Sequence, residues 1–145
     1  MHHATLASVR LITDDVDRLT AFYERVTGTA AQRPSPDFAE LRTDRGTLAI
    51  GSTRTVQLFG PGSAAPAANR TAIVEFLVDD VDALFAGLGD TVETVTPPTT
   101  MPWGNRSLLV RDPDGTLVNL FTPVSPEARE RSGTERSGTE RSGME

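Results

Sequence analysis

The chain has no cysteine and no lysine, one tryptophan, one tyrosine, and only two histidines, adjacent at His2 and His3. Without cysteine there is no disulfide framework, thiolate metal site or thiol nucleophile. With both histidines at the N-terminus, no serine–histidine or cysteine–histidine constellation can be assembled, and no Gly-rich phosphate loop is present. All 14 basic residues are arginine and the net charge is −6. That balance disfavours a nucleic-acid partner, because phosphate binding needs a concentrated basic surface. No apolar run approaches bilayer-spanning length and no signal-like segment opens the chain, so the expectation is a cytoplasmic protein with no membrane partner.

What remains reads as alternating strands and capped helices. "LASVRLI" (6–12) has strand alternation, and "DDVDRLTAFYERVTG" (14–28) repeats apolar residues at helical spacing between a capping aspartate and Gly28. Three strands are expected near 38–43, 47–51 and 55–59, followed by a Gly-, Pro- and Ala-rich linker at 60–70. The order then recurs: strand 71–78, helix 79–90, and strands 91–96, 106–112 and 116–122, the last two joined by the turn "DPDG". A calcium-loop reading of that turn lacks the repeated acidic spacing. Tyr23, Glu40 and Arg106 are titratable but have no evident place.

"DDVD" stands at 14–17 and again at 79–82, while "VQLF" at 56–59 is echoed by "VNLF" at 118–121. These repeats point to an α+β fold of two tandem βαβββ modules, at 1–59 and 71–124. The second echo puts a neutral amide, Gln57 or Asn119, in the middle of each apolar run. From 125 to 145 the composition turns to the polar repeat "ERSGT", which has no apolar face to offset the entropy of ordering, so a disordered tail is expected.

The duplicated plan, "DDVDRLTAFYERVTG", and "PWGNRSLLVRDPDGTLVNLFTP" (102–123) together resemble the vicinal oxygen chelate superfamily. It includes glyoxalase I, extradiol dioxygenases and bleomycin resistance proteins; "PWG" ahead of "RDPDG" looks most like the bleomycin-resistance branch. The resemblance implies a curved, incomplete β-barrel cleft with the helices outside. It also implies a metal held by four residues, from the first and fourth strands of each module. Counted back from "DDVD", the first-strand positions are Ser8 and Ile73, and the fourth-strand positions read as Gln57 and Asn119. A hydroxyl, a hydrocarbon and two amides are weak substitutes for the imidazoles and carboxylates that hold divalent transition metals. The expectation is therefore no metal and no cofactor.

Strand alternation extends the expected lining to Arg10, Glu75, Phe59 and Phe121, with Arg10 and Glu75 at equivalent places and a charge pair between them conceivable. The two phenylalanines could equally fill the core. Trp103, between Pro102 and Gly104, could stack on a planar ligand or cap the core or a dimer contact. These residues suggest a metal-free protein that binds a small apolar or planar molecule, as a homodimer, with a sequestering resistance protein as one form. The alternative is a lyase, isomerase or dioxygenase with an atypical metal site or none.

Overall fold

In the structure, a computed structural model, residues 3–133 are described. The elements in chain order are β1 (Val9–Thr13), α1 (Val16–Thr27), β2 (Gln32–Ser35), β3 (Phe38–Arg42), β4 (Thr47–Ser52), α2 (Thr53–Gln57), β5 (Ile73–Leu77), α3 (Val81–Leu88), β6 (Glu93–Thr100), β7 (Asn105–Arg111), β8 (Leu117–Pro123) and α4 (Pro126–Ser132). They form two open four-stranded sheets of like topology, ordered β1-β4-β3-β2 and β5-β8-β7-β6. In each, the first strand runs parallel to the fourth, and the remaining pairs are antiparallel. The βαβββ plan expected from the repeats is present twice. The described residues divide into two compact units, 3–72 with the turn 112–116, and 73–111 with 117–133.

The "DDVD" echo has a physical basis. Asp15 accepts the amide of Arg18 and Asp80 accepts that of Ala83, so the second aspartate of each copy caps its helix. The first unit's core lies between α1 and one sheet face: Leu19, Tyr23 and Val26 are buried, as are Ala39, Leu41, Leu48 and Ile50. In the second unit the matching face carries Leu108, Val110, Val118 and Leu120, with Val81 and Leu88 of α3 also buried. Arg106 adds a forked bond from β7 to Asp82 of α3, at 2.7 and 3.0 Å. Those hydrogen bonds hold the Asp82 carboxyl below its ordinary range.

Three sequence expectations need correction. The stretch 55–59 is not a strand: α2 occupies Thr53–Gln57, so β4 (Thr47–Ser52) is the fourth strand of the first module. The missing strand is β2, "QRPS", exposed along its whole length. An edge strand containing proline shows no alternation to read. Finally, the tail does not begin at 125, because Ser125 caps α4 by accepting the Ala128 amide, and Pro126 opens the helix. The rest of the expected tail, 134–145, lies outside the described residues.

Helix α4 rests on the loop before β7. The Gly104 carbonyl accepts the amides of Val124 and Ser125, and Arg131 Nη2 donates to the Trp103 carbonyl at 2.6 Å. Gly104 has φ +92°, and a Cβ there would lie 2.8 Å from the Ser125 Cβ and 3.1 Å from that of Ala128. Only glycine accommodates both the backbone conformation and the approach of α4.

In the first unit the Tyr23 hydroxyl, fully buried, donates to Asp112 Oδ2 at 2.7 Å. Asp112 Oδ1 accepts the amides of Asp114 and Thr116 at 2.8 and 3.0 Å. Burial above all, then the Asp112 charge and hydrogen bond, push the Tyr23 phenol far above its ordinary value of 10.0.

Two outcomes are expected. Tyr23→Phe leaves a buried carboxylate oxygen unpaired and should cost about 1–3 kcal/mol in denaturant unfolding. Because the folded state disfavours tyrosinate, this stability is intact below about pH 10 and declines as pH rises beyond it, where the unfolded chain ionises first. Tyr23 is the only tyrosine, so tyrosinate absorbance should rise together with loss of the far-ultraviolet circular dichroism signal and not before it. Gly104→Ala should destabilise by about 1–3 kcal/mol in the same unfolding assay, from strain at positive φ plus overpacking against α4.

Candidate functional site

Each sheet has a second face, away from the core, and strand register fixes which side chains share it. In the first unit Arg10 pairs with Ala49, which pairs with Glu40. One step along, Ile12 pairs with Gly51, which pairs with Phe38. Partners across a ladder point the same way, so these six residues occupy one face.

Helix α2 folds onto this face. A Cβ on Gly51 would meet Thr55 Oγ1 at 2.8 Å, Arg10 Cδ at 3.2 Å and Ile12 Cδ1 at 3.6 Å, so the missing side chain is what lets α2 and Arg10 come together. The start of α2 is secured by Asp37, which accepts from Ser52 Oγ and Arg54 Nε, both at 2.8 Å. The two bonds hold the Asp37 carboxyl below its ordinary range. Just past the helix, Phe59 stacks on Arg10: the guanidinium carbon is 4.9 Å from the Phe59 ring centroid and 5.2 Å from that of Phe38. Such contacts are worth about 0.5–1 kcal/mol each at an exposed site.

In the second unit the corresponding face carries Glu75, Asn119 and Leu109 in one rank, and Leu77, Phe121 and Ser107 in the next. Asn119 Nδ2 donates to Glu75 Oε2 at 2.8 Å. A carboxylate only accepts, so this bond fixes the amide orientation and turns Oδ1 the other way. Asn119 Oδ1, Ser107 Oγ and Asn105 Oδ1 are buried without a hydrogen-bond partner. All three residues lie on this face, since Asn105, Ser107 and Leu109 alternate along β7.

The nine residues singled out from the sequence therefore separate. Arg10 meets Phe59 in the first unit; Ile73, Glu75, Asn119 and Phe121 share a face in the second, with Ile73 at its exposed end. Arg10 and Glu75 each find partners within their own unit. Ser8 is exposed and precedes β1. Gln57 is exposed at the end of α2 and does not correspond to Asn119; by register that place belongs to Ala49, since Arg10–Ala49 mirrors Glu75–Asn119. Trp103 is exposed on the loop anchored by α4. Phe38, Gly51 and Ser107 were missed. The strand expected near 47–51 is present as β4, but as the fourth strand of its module.

The places that the resemblance assigns to metal ligands are, each unit taken by itself, Ser8 just before β1 and Ala49 on β4 in the first, and Ile73 and Asn119 in the second. The side chains of Ala49 and Ile73 have no donor atom, and Ser8 and Asn119 offer only a neutral hydroxyl and a neutral amide oxygen. This donor set does not fit a divalent transition metal. Among the described residues, no three of His, Cys, Asp and Glu gather closely enough to hold one elsewhere.

Solved structures share this architecture. A glyoxalase/bleomycin resistance protein/dioxygenase from Nocardioides is 21% identical with a TM-score of 0.66, each chain covered to 87%. A family enzyme from Burkholderia phytofirmans PsJN is 21% identical with a TM-score of 0.72, over 83% of this chain and 100% of its own. TioX from Micromonospora sp. ML1 is 27% identical with a TM-score of 0.60, again over 83% and 100%. A search of curated proteins finds no match. The model of the Glyoxalase/Bleomycin resistance protein/Dioxygenase superfamily matches residues 2–120, most of the length, and this chain belongs to that superfamily.

Proposed function

We propose that the protein binds a small apolar or planar molecule without a metal, as a sequestering protein of the bleomycin-resistance kind. The observation that carries this reading is that the places where the family's metalloenzymes carry ligands hold Ser8 and Ala49 in the first unit and Ile73 and Asn119 in the second, with no imidazole or carboxylate among them. Binding, unlike Lewis-acid catalysis, needs no charged donor there. Two features support it. The sheet face of the second unit mixes Ile73, Leu77 and Phe121 with a few oriented polar groups, the composition of small-molecule sites. Trp103 is 58% exposed on a loop that three hydrogen bonds from Val124, Ser125 and Arg131 keep in place. A fixed, exposed indole is a stacking surface whose ordering has already been paid for. The protein acts in the cytoplasm as a homodimer on this reading, and its partner is the ligand alone.

A second reading, a lyase or isomerase working without metal, is favoured by Glu75, a carboxylate oriented by Asn119 on the same face and able to serve as a base.

Protein purified without chelator should carry no stoichiometric Ni, Zn, Mn or Fe by elemental analysis. A thermal-shift screen of planar aromatic compounds should give hits that quench the single tryptophan. Trp103→Leu should weaken such hits roughly fivefold by calorimetry, the equivalent of about 1 kcal/mol of stacking. Stoichiometric metal, or a library with no hit, overturns the binding reading. Turnover of a hit that is abolished by Glu75→Gln, with affinity retained, establishes the enzymatic one.

A further inference from the structure

We propose that Arg10 is the anchor for an anionic head group, a carboxylate, on an otherwise apolar ligand. The inference rests on the binding reading above and adds the ligand's charge.

In the first unit Arg33 pairs with Asp17, Arg42 with Glu40 and Arg54 with Asp37. What sets Arg10 apart is that two aromatic rings flank its guanidinium. Among the described residues no carboxylate lies within ion-pair distance of it, and its neighbours are the Phe38 and Phe59 rings. Ring contacts use the faces of a guanidinium and leave its edge, with the N–H donors, open. Arginine offers only donors, in a rigid fork whose geometry matches a carboxylate.

The seat is built for this side chain. Gly51 leaves the room that the Arg10 stem occupies, since a Cβ there would lie 3.2 Å from Arg10 Cδ. The two rings then limit the guanidinium's orientation, which lowers the entropy lost when a carboxylate pairs with it in forked geometry. Beside the anchor stand Phe38, Ile12 and Phe59, the last 75% exposed, with Glu40 farther along the same rank and paired with Arg42. A ligand that reaches Arg10 therefore lays a hydrocarbon or aromatic body against Phe38, Ile12 and Phe59. A carboxylate fits better than a phosphate, because a single arginine on a protein of net charge −6 compensates one negative charge but not two.

The test uses 2-naphthoate and its uncharged isostere 2-naphthamide, titrated calorimetrically into the full chain and into Arg10→Gln, Arg10→Lys and Phe59→Leu, each checked for folding by circular dichroism. The acid should bind the wild type roughly tenfold more tightly than the amide, and less so at high salt. Arg10→Gln should erase the preference, Arg10→Lys should keep part of it, and Phe59→Leu should weaken both probes. Equal affinity for acid and amide in the wild type, or a preference that survives Arg10→Gln, would overturn the anchor and leave the binding reading standing. Failure of both probes to bind while neutral hits from the screen do bind has the same meaning. If Arg10 only pins α2 to the sheet, Arg10→Gln lowers the unfolding midpoint without changing the acid-to-amide ratio, and the inference falls.

Discussion

The Tyr23–Asp112 hydrogen bond fills one side of a buried carboxylate whose other side holds the turn before the last strand. A carboxylate 4% exposed is tolerable only if its lone pairs are filled, and Asp112 accepts the Tyr23 hydroxyl together with the amides of Asp114 and Thr116. The last of these bonds matters most for the site. With Thr116 tied to Asp112, β8 starts at Leu117, and side chains alternate from a fixed origin. Val118 and Leu120 go to the core, while Asn119 and Phe121 go to the opposite face. A slip of one residue would bury the amide and expose the two aliphatic side chains.

How much of this could be read in the sequence varies with the physics behind each signal. The helix caps were legible, because a short carboxylate at the N-cap answers a local need and both "DDVD" copies meet it at Asp15 and Asp80. The "VQLF" echo misled. A short apolar string does not determine its own period: Val56 is buried, but Leu58 and Phe59 are exposed, so the run is a single turn of helix with an apolar end. The strand at 47–51 was legible; its place as the fourth of the module was not, because the amide echo pointed to 55–59. Strand β2 left no signal, since an exposed edge needs none. Helix α4 left one, Ser125-Pro126-Glu127, hidden by the low-complexity repeat after it. At the site, residue identity was legible and juxtaposition was not; the meeting of Arg10 with Phe59 depends on α2, which the strand reading removed.

Two modules with the same topology and equivalent register nevertheless present different faces, and the charge at one position explains the divergence. Arg10 and Glu75 are equivalent by sequence offset and by pairing, Arg10 to Ala49 and Glu75 to Asn119. A guanidinium can rest against aromatic rings, whose faces are electron-rich, so its neighbour on the fourth strand can be a bare alanine with Phe38 and Phe59 supplying the contact. A carboxylate gains nothing from a ring face and needs a donor. The side chain directly across the parallel ladder is the nearest place to provide one. An aspartate or glutamate at 119 would set like charges side by side, which is costly at cross-strand separation. An amide donates to Glu75 and keeps an oxygen for another partner. The neutral residue on β8 is thus what Glu75 requires of its neighbour.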